Sequence, residues 1–596
     1  MAVIVNKIDR KNYDCIIIGG GGAGLRAAYT LAKSNHKVAV VSKVYPSRSH
    51  TCAAQGGINA AVGNAGQHKD DWRFHMYDTV MGSDFLGDQK AIEYMCKEAP
   101  DAILELERMG MPFSRDDNGR IYQRSFGGQT VNYGGEIAKR TCAVADRTGH
   151  ALLHTLYQQC LSLNVNFYSE WFAIDLVRAA NGHVVGVVAM DLETSALQFM
   201  KSHFTVLATG GAGRIFKSST NAYTCTGDGL AMAYRLDLPL QDMEMWQFHP
   251  TGIFGVGILV SEGTRGEGGY LVNGDNERFM PSYAPHFKDL ACRDFVSRCS
   301  MIEIREGRGC GPNKDHVGLQ LSHLPKAVFK EKLPGITELS RVYANIDPMV
   351  DPIPVVPTCH YMMGGIPTNK DAEVVDYNLG SGDQVVPGLY ACGEVANVSV
   401  HGANRLGANS LLDLVIFGRS AGQSIKDKLD QGVADVPVSD DDVHQAIQRF
   451  FEFESNHNSG AAKSVSELRV MMQEIMQNDF GVFRTEISMK TGLEKLKQLD
   501  DQIRECQLVD KSKSFNTARV ELLELDNLMK VAISTAKSAV YRTESRGAHS
   551  REDYQSRNDD SWHCHTIDKI KMDPVKRPVD MSPEIVDAIP LRERAQ

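Results

Sequence analysis

The first clear pattern along the chain is YDCIII (13–18), a β-branched run that breaks into four glycines. LRAAYTLAKS (25–34) then carries apolar residues at helical spacing, and KVAVVSK (37–43) returns to strand character. This order predicts a parallel strand pair joined by a crossover helix. The strand-then-glycine signal recurs at TVLATGGAGRIF (205–216) and GLYACGEV (388–395), and LLDLVIFGRSAGQSIKDKL (411–429) reads as a long helix. Sheet-forming segments thus flank a central stretch. The pattern predicts one α/β Rossmann-like domain, residues 1–244 and 358–435, interrupted by an inserted α+β domain over 245–357.

From about Asp440 the period changes. VHQAIQRFFEFE, VSELRVMMQEIMQ, LEKLKQLDDQIRE and TARVELLELDNLMKVAISTAKSAVYR place apolar residues at helical spacing. Four helices with short polar links predict a bundle over 436–546. Beyond Gly547 the chain turns polar and is punctuated by Pro574, Pro578, Pro583 and Pro590. The segment 547–596 therefore reads as a tail extended over a surface. No internal repeat or low-complexity tract stands out.

Composition narrows the function. A chain of 596 residues, 42% hydrophobic and 23% charged, has the balance of a multidomain globular protein. A net charge of −10 argues against a nucleic-acid-binding surface but leaves room for a local basic pocket. No apolar run approaches the roughly 20 residues of a membrane-spanning helix. The first strand begins near Tyr13, which leaves little room for a cleaved leader, so any membrane association is expected through a partner. The 13 cysteines include no C-x-x-C pair. Iron–sulfur and structural zinc sites lack their usual ligands, and His563, Cys564 and His565, adjacent on one segment, are poorly placed to converge on one ion. The cysteines read as reduced packing residues.

Gly19-x-Gly21-x-x-Gly24, with Gly22 between, sits at a strand-to-helix turn, the context that makes this fingerprint informative for a dinucleotide pyrophosphate. The second strand ends in Ser42-Lys43 where an NAD site expects an acid, which disfavours a nicotinamide cofactor. SRSHTCAAQGG (47–57) then places His50 and Thr51 beside Gln55, Gly56 and Gly57, glycine-rich backbone suited to running against a flat ligand. The central stretch adds His249 in QFHPTG; Ser261, Glu262, Arg265 and Glu267 in SEGTRGEGGY; and Arg293 with Asp294 in ACRDFVSR. PTCHYMMGG supplies His360, and VSVHGANRLGANS supplies His401 and Arg405. Arginines beside small residues are what a bidentate carboxylate clamp requires, so several such segments together predict a site for an anionic substrate.

SRSHTCAAQGG, DMEMWQFHPTG, RGEGGY, PTCHYMMGGIPT, HGANRLGANSLLDL and YRTESRGAHSRED, in this order, closely resemble the succinate dehydrogenase and fumarate reductase flavoprotein family. The resemblance runs from about residue 12 to the tail. It implies an FAD-binding domain, a capping domain over the substrate and a helical domain, with FAD joined covalently through its 8α-methyl to His50. It assigns Gly19, Gly21, Gly22, Gly24, Ser42, Lys43, Thr51, Gln55, Gly56, Gly57, Asp228, Glu394, Ser410 and Leu411 to the cofactor. His249, Ser261, His360 and Arg405 match the groups that bind the substrate carboxylates, with serine at 261 where the family usually has threonine. Arg293 matches the proton-transfer group, with Glu262 and Arg265 as its relay; no metal is implied.

The implied reaction is oxidation of succinate to fumarate, with electrons passing to a separate iron–sulfur subunit and then to quinone through a membrane anchor. This places the chain at the periphery of a membrane, on the cytoplasmic side of a bacterial inner membrane or, as a mature form, on the matrix side in mitochondria. Fumarate reduction is the competing direction. Dehydrogenases of the family carry glutamine at the position of Gln55 and reductases usually glutamate, which favours succinate oxidation here. L-aspartate oxidase, a relative with non-covalent FAD, fits His50 poorly. A non-catalytic assembly module would have no reason to keep His249, His360, Arg293 and Arg405 together.

Overall fold

A computed structural model describes residues 8–63, 70–455 and 463–593; the first seven residues, on which the expectation about a leader partly rests, lie outside them. β1 (Asp9–Ile18) ends in buried Cys15, Ile16, Ile17 and Ile18; α1 (Gly22–Ala32) and β2 (Val38–Ser42) follow. Next come α2 (Gln89–Arg108), β3 (Asn166–Ser169), β4 (Trp171–Arg178), β5 (Val184–Asp191) and β6 (Leu197–Leu207). The central stretch holds β7 (Leu240–Gln241), β8 (Trp246–Ile253), β9 (Tyr270–Val272), α3 (Arg293–Arg305), β10 (Val317–Gln320) and β11 (Ile353–Met362). β12 (Glu373–Asn378), β13 (Gly382–Ala391) and α4 (Asn409–Gln431) are followed by four helices, α5 (Asp440–Ser455), α6 (Val465–Asp479), α7 (Glu486–Arg504) and α8 (Thr517–Tyr541). β14 (Cys564–Asp568) and β15 (Val575–Pro578) lie in the C-terminal segment.

The main sheet runs β12-β13-β6-β1-β2-β3, with β5 and β4 added through β6. β1 pairs in parallel with both β2 and β6, so residues 189 apart in sequence, such as Ile18 and Leu207, are neighbours. Gly19, at φ +116°, makes the turn out of β1; a Cβ there would sit 2.1 Å from the Ala208 carbonyl oxygen. A Cβ at Gly24 would meet the Gly19 carbonyl oxygen at the same distance, so α1 packs directly on the turn. Only glycine fits either position. α4 crosses α1 closely, because Gly418 and Gly422 face Ala23 and Thr30.

The central stretch builds a separate antiparallel sheet, β8-β11-β10-β9. Its return strand β11 runs on to Met362, past residue 357.

Two expectations change. All four late helices form, but α6, α7 and α8 pack on one another while α5 lies on β4 and β5. Val443, Ile447 and Phe450 on its apolar face join one core shared by the main sheet and α6–α8, and Arg449 ties α5 to Asp526 of α8 at 3.0 Å.

The C-terminal segment is not merely draped over a surface. β14 pairs with β7, and His549, Arg551 and His565 are buried, as are Arg542 and Arg546 just before the segment. Their charges are matched inside: Arg542 with Glu244 and Glu544, Arg546 with Glu544. Residues 580–589 form neither helix nor strand and follow α2, where the Glu584, Ile585 and Val586 N–H groups converge on the Glu93 carboxylate and the Ile589 N–H on Gln89.

His565 clamps this segment, with Nδ1 2.7 Å from Asp242 and Nε2 3.1 Å from Asp88. Burial alone would lower its pKa, but the two carboxylates outweigh burial and raise it to about 9. The folded value lies above the ordinary 6.5, so the stabilisation is complete below about pH 6.5 and disappears as pH rises through about 9. The linkage is on the order of 3 kcal/mol. The thermal midpoint of the wild type should therefore fall more steeply between pH 7 and 10 than that of His565→Gln. Parallel curves would remove the clamp.

Candidate active site

A cavity of about 960 Å³ runs beneath the main sheet's C-terminal edge, between that sheet and the inserted segment. Gly19, Gly21, Gly22, Ser42, Lys43 and Asp228 line one region. His50, Thr51, Gln55, Gly56, Gly57, Glu394, Ser410 and Leu411 continue it, and His249, Ser261, Arg293, His360 and Arg405 line its other part. Gly24 does not line the cavity; its role is the helix contact described above.

Two helices begin at the cavity, α1 after Gly21 and α4 after Ala408; neither N-cap residue caps its helix, and the first N–H of α1, Gly22, donates to Thr51 Oγ1 at 3.1 Å. Free backbone N–H groups at a helix start favour anionic oxygen, which fits a pyrophosphate at α1. The long cavity, its glycine wall and these N-termini fit FAD.

His50 sits at the start of a short 3₁₀ turn, with Nδ1 accepting the Ala222 N–H at 3.3 Å and Nε2 3.3 Å from the Asn221 amide. Burial lowers its pKa to about 4, so the ring is neutral. Gln55 spans the cavity wall: its amide donates to Leu259 O and its carbonyl accepts the Ser261 N–H, both at 3.1 Å. One side chain thus ties the His50 loop to the inserted segment.

Strand pairing of β8 with β11 brings His249 and His360 to a ring-centroid distance of 5.0 Å. His249 Nδ1 accepts the Thr251 N–H at 3.2 Å. The proton of the neutral ring is thereby assigned to Nε2, a buried atom with no protein partner. Burial, reinforced by the nearby Arg293, pushes the pKa of His249 and of His360 well below the usual value. His360 Nδ1 is held at 2.8 Å from the Thr220 hydroxyl.

Arg293, the first residue of α3, places Nε 2.5 Å from Glu262. Glu262 also accepts the Gly127 N–H at 2.8 Å. Burial would raise this carboxyl, but Arg293 and Arg265 hold it below its ordinary range. Arg265 is buried behind it and donates to the Asp289 carbonyl, while the Asp289 carboxylate pairs with half-exposed Arg278. Arg405 lies over the Tyr361 ring at 4.3 Å, and its pKa is lowered to about 9 by burial and then by Arg293. Three guanidiniums and one carboxylate leave an excess of two positive charges, a match for a dicarboxylate.

Three candidates point elsewhere. His401 Nε2 lies 3.1 Å from Asp413 and 3.3 Å from the Tyr361 hydroxyl. Glu267 accepts from Tyr122, and Asp294 pairs with Arg298 one helical turn on. His563 contacts the Phe85 carbonyl, away from His565, so that cluster does not converge.

Sequence reasoning missed Gln247, whose Oε1 accepts from both Arg293 and Arg405 at 3.1 Å. Its position two residues before His249 was the available signal. It also missed Thr220, Asn221 and Ala222, which no motif marks.

Residues 14–411 match the family described as FAD binding domain, and residues 469–596 match that described as fumarate reductase flavoprotein C-term. The chain is similar to a succinate dehydrogenase flavoprotein subunit of Coxiella burnetii, at 55% identity over 99% of this chain and all of the relative. It is 40% identical to a fumarate reductase flavoprotein subunit of Mycobacterium tuberculosis, over 93% of this chain and 94% of that one. A structure of E. coli quinol fumarate reductase superposes with a TM-score of 0.90 at 36% identity, covering 98% of this chain and 99% of that chain. Among the described residues, no helix is long and apolar enough to cross a membrane. With both sequence families, full-length identity and fold in agreement, the chain belongs to the succinate dehydrogenase and fumarate reductase flavoprotein family.

Proposed function

We propose that this chain oxidises succinate to fumarate as the flavoprotein subunit of a succinate dehydrogenase. FAD is joined to His50 through its 8α-methyl, and electrons leave to an iron–sulfur subunit and then to quinone through a membrane anchor. The chain itself is peripheral on the inner face of the membrane. The observation that carries this reading is that Arg293 and Arg405 line the same cavity as His50, His249 and His360, with Arg265 buried behind them.

The bound flavin supplies a two-electron acceptor for the hydride leaving the substrate CH2–CH2 unit. Arg405, His249 Nε2–H and His360 hold the two carboxylates, and the Ser261 hydroxyl, which accepts the Gly263 N–H, keeps its own proton to donate. Clamping both ends orients the reacting C–H bond, where positioning lowers the barrier. Arg293 takes the second proton. A guanidinium is ordinarily protonated throughout, so Arg293 accepts a proton only while passing one from Nε to Glu262. From there it leaves by Arg265 toward the Asp289–Arg278 side. In this reading the inserted segment closes the site as a lid.

The test is dye-linked assay in both directions; succinate oxidation should be the faster, and much faster fumarate reduction would reverse the assignment. Gln55→Glu bears on direction. A carboxylate keeps the acceptor for Ser261 N–H but faces the Leu259 carbonyl with no proton to give, a loss of about 1–3 kcal/mol. It also places negative charge near a flavin that becomes anionic on reduction. Succinate oxidation should fall roughly tenfold on this scale, with fumarate reduction falling less. An unchanged ratio would deny Gln55 any part in direction.

A further inference from the structure

Lys43 and Asp228 line the cofactor cavity, yet neither is held in place by the FAD-binding segments alone. Lys43 Nζ donates to Thr226, to Asp228 at 2.8 Å and to Glu524 at 2.8 Å. All three ammonium protons are therefore spent, and Lys43 is not a free cation waiting for phosphate. Asp228 Oδ1 accepts from Asn527 at 2.8 Å and from Thr226 at 2.9 Å.

Glu524 and Asn527 come from α8, three residues apart and so on one helical face. Neither lines the cavity. The Asn527 amide is oriented from behind, because its Oδ1 accepts from Arg235 at 2.9 Å and from Arg449 at 3.2 Å, which leaves Nδ2 aimed at Asp228. The second Glu524 oxygen lies 3.9 Å from Arg469 on α6. The cluster balances two cations, Lys43 and Arg469, against two carboxylates, Asp228 and Glu524.

We propose that Glu524 and Asn527 are positioning residues for the FAD cavity, so that cofactor binding and the seating of helices α6 and α8 are coupled. This rests on the reading of the cavity as the FAD site. With Glu524 removed, Lys43 loses one of three acceptors and turns toward the cavity; with Asn527 removed, Asp228 loses a donor and rotates. Both displace wall groups from the geometry that receives the ligand. By linkage the coupling is reciprocal: FAD holds the helices as firmly as the helices hold the FAD wall.

The test uses the full chain carrying His50→Ser, which makes FAD binding reversible, with FAD titrated by flavin fluorescence. Glu524→Ala and Asn527→Leu each raise the Kd for FAD about tenfold or more. Glu524→Gln, which keeps an acceptor for Lys43, recovers most of the affinity, and Glu521→Gln, an exposed site on the same helix, leaves it unchanged. Hydrogen exchange in α6 and α8 slows on FAD addition in the parent and less in the two variants. Affinities within twofold of the parent overturn the proposal, as does a thermal midpoint of the FAD-free protein lowered as much as that of the loaded one. A parent that takes up no FAD sinks the reading of the cavity instead.

Discussion

Arg293→Ala lowers dye-linked succinate oxidation by about 10³–10⁴-fold, the upper range for losing a positioned proton-transfer group. Fumarate reduction falls by a similar factor, since the same group must return the proton in reverse. Flavin content stays near wild type, because Arg293 touches the far part of the cavity from Lys43 and Asp228. The argument rests on fixed geometry: Nε on Glu262 at 2.5 Å and Nη1 on Gln247 at 3.1 Å set the guanidinium from two sides. Arg293→Lys restores charge but not the planar fork, so it recovers little. Glu262→Gln leaves Arg293 in place and removes its outlet, and falls by about 10²-fold, the lower end of the same range. A variant lacking Arg293 with rates within tenfold of wild type would move the proton step to another residue.

What the sequence made legible was what is local. The β1–α1–β2 unit announces itself because Cys15 to Ile18 break into glycines and the next helix buries small residues on the turn. The four late helices were equally plain from their spacing. What failed was any inference that needed a partner far along the chain. The apolar face of α5 cannot say whether it meets helices or the β4–β5 strands. Polar residues beyond Gly547 read as solvated because a sequence does not show that His565 meets Asp88, 477 residues earlier. Buried ion pairs and surface charges are written with the same letters. The site residues themselves carried a family resemblance, but their convergence is a property of strand pairing. His249 and His360 face each other only because β8 and β11 run antiparallel with Phe248 opposite Cys359. Gln247 and the Lys43–Glu524 contact belong to the same class of unread information.

His50→Ser should separate holding the flavin from tuning it. After acid precipitation the wild-type pellet stays yellow and the variant pellet does not, while the native variant still binds FAD through the glycine turn, Ser42 and the α1 N-terminus. Its succinate oxidation falls by about 10–100-fold, and fumarate reduction is largely kept. The asymmetry follows from the imidazole. The buried ring is neutral, with Nδ1 fixed by the backbone Ala222 N–H and Nε2 facing only the Asn221 side-chain amide, so Nε2 is the nitrogen that gives up its proton for the 8α position. An electron-withdrawing nitrogen at that carbon raises the potential of the cofactor, and each ~30 mV lost shifts a two-electron equilibrium by about tenfold. Forming a carbon–carbon double bond needs that oxidising power, whereas removing one does not. Asn221→Ala, which strips one contact from Nε2 but leaves the histidine, should slow attachment without abolishing it. A wild-type pellet that releases its flavin in acid would deny the covalent bond. An acid-stable bond joined to an unchanged succinate rate in His50→Ser would leave the tether as an anchor with no part in setting direction.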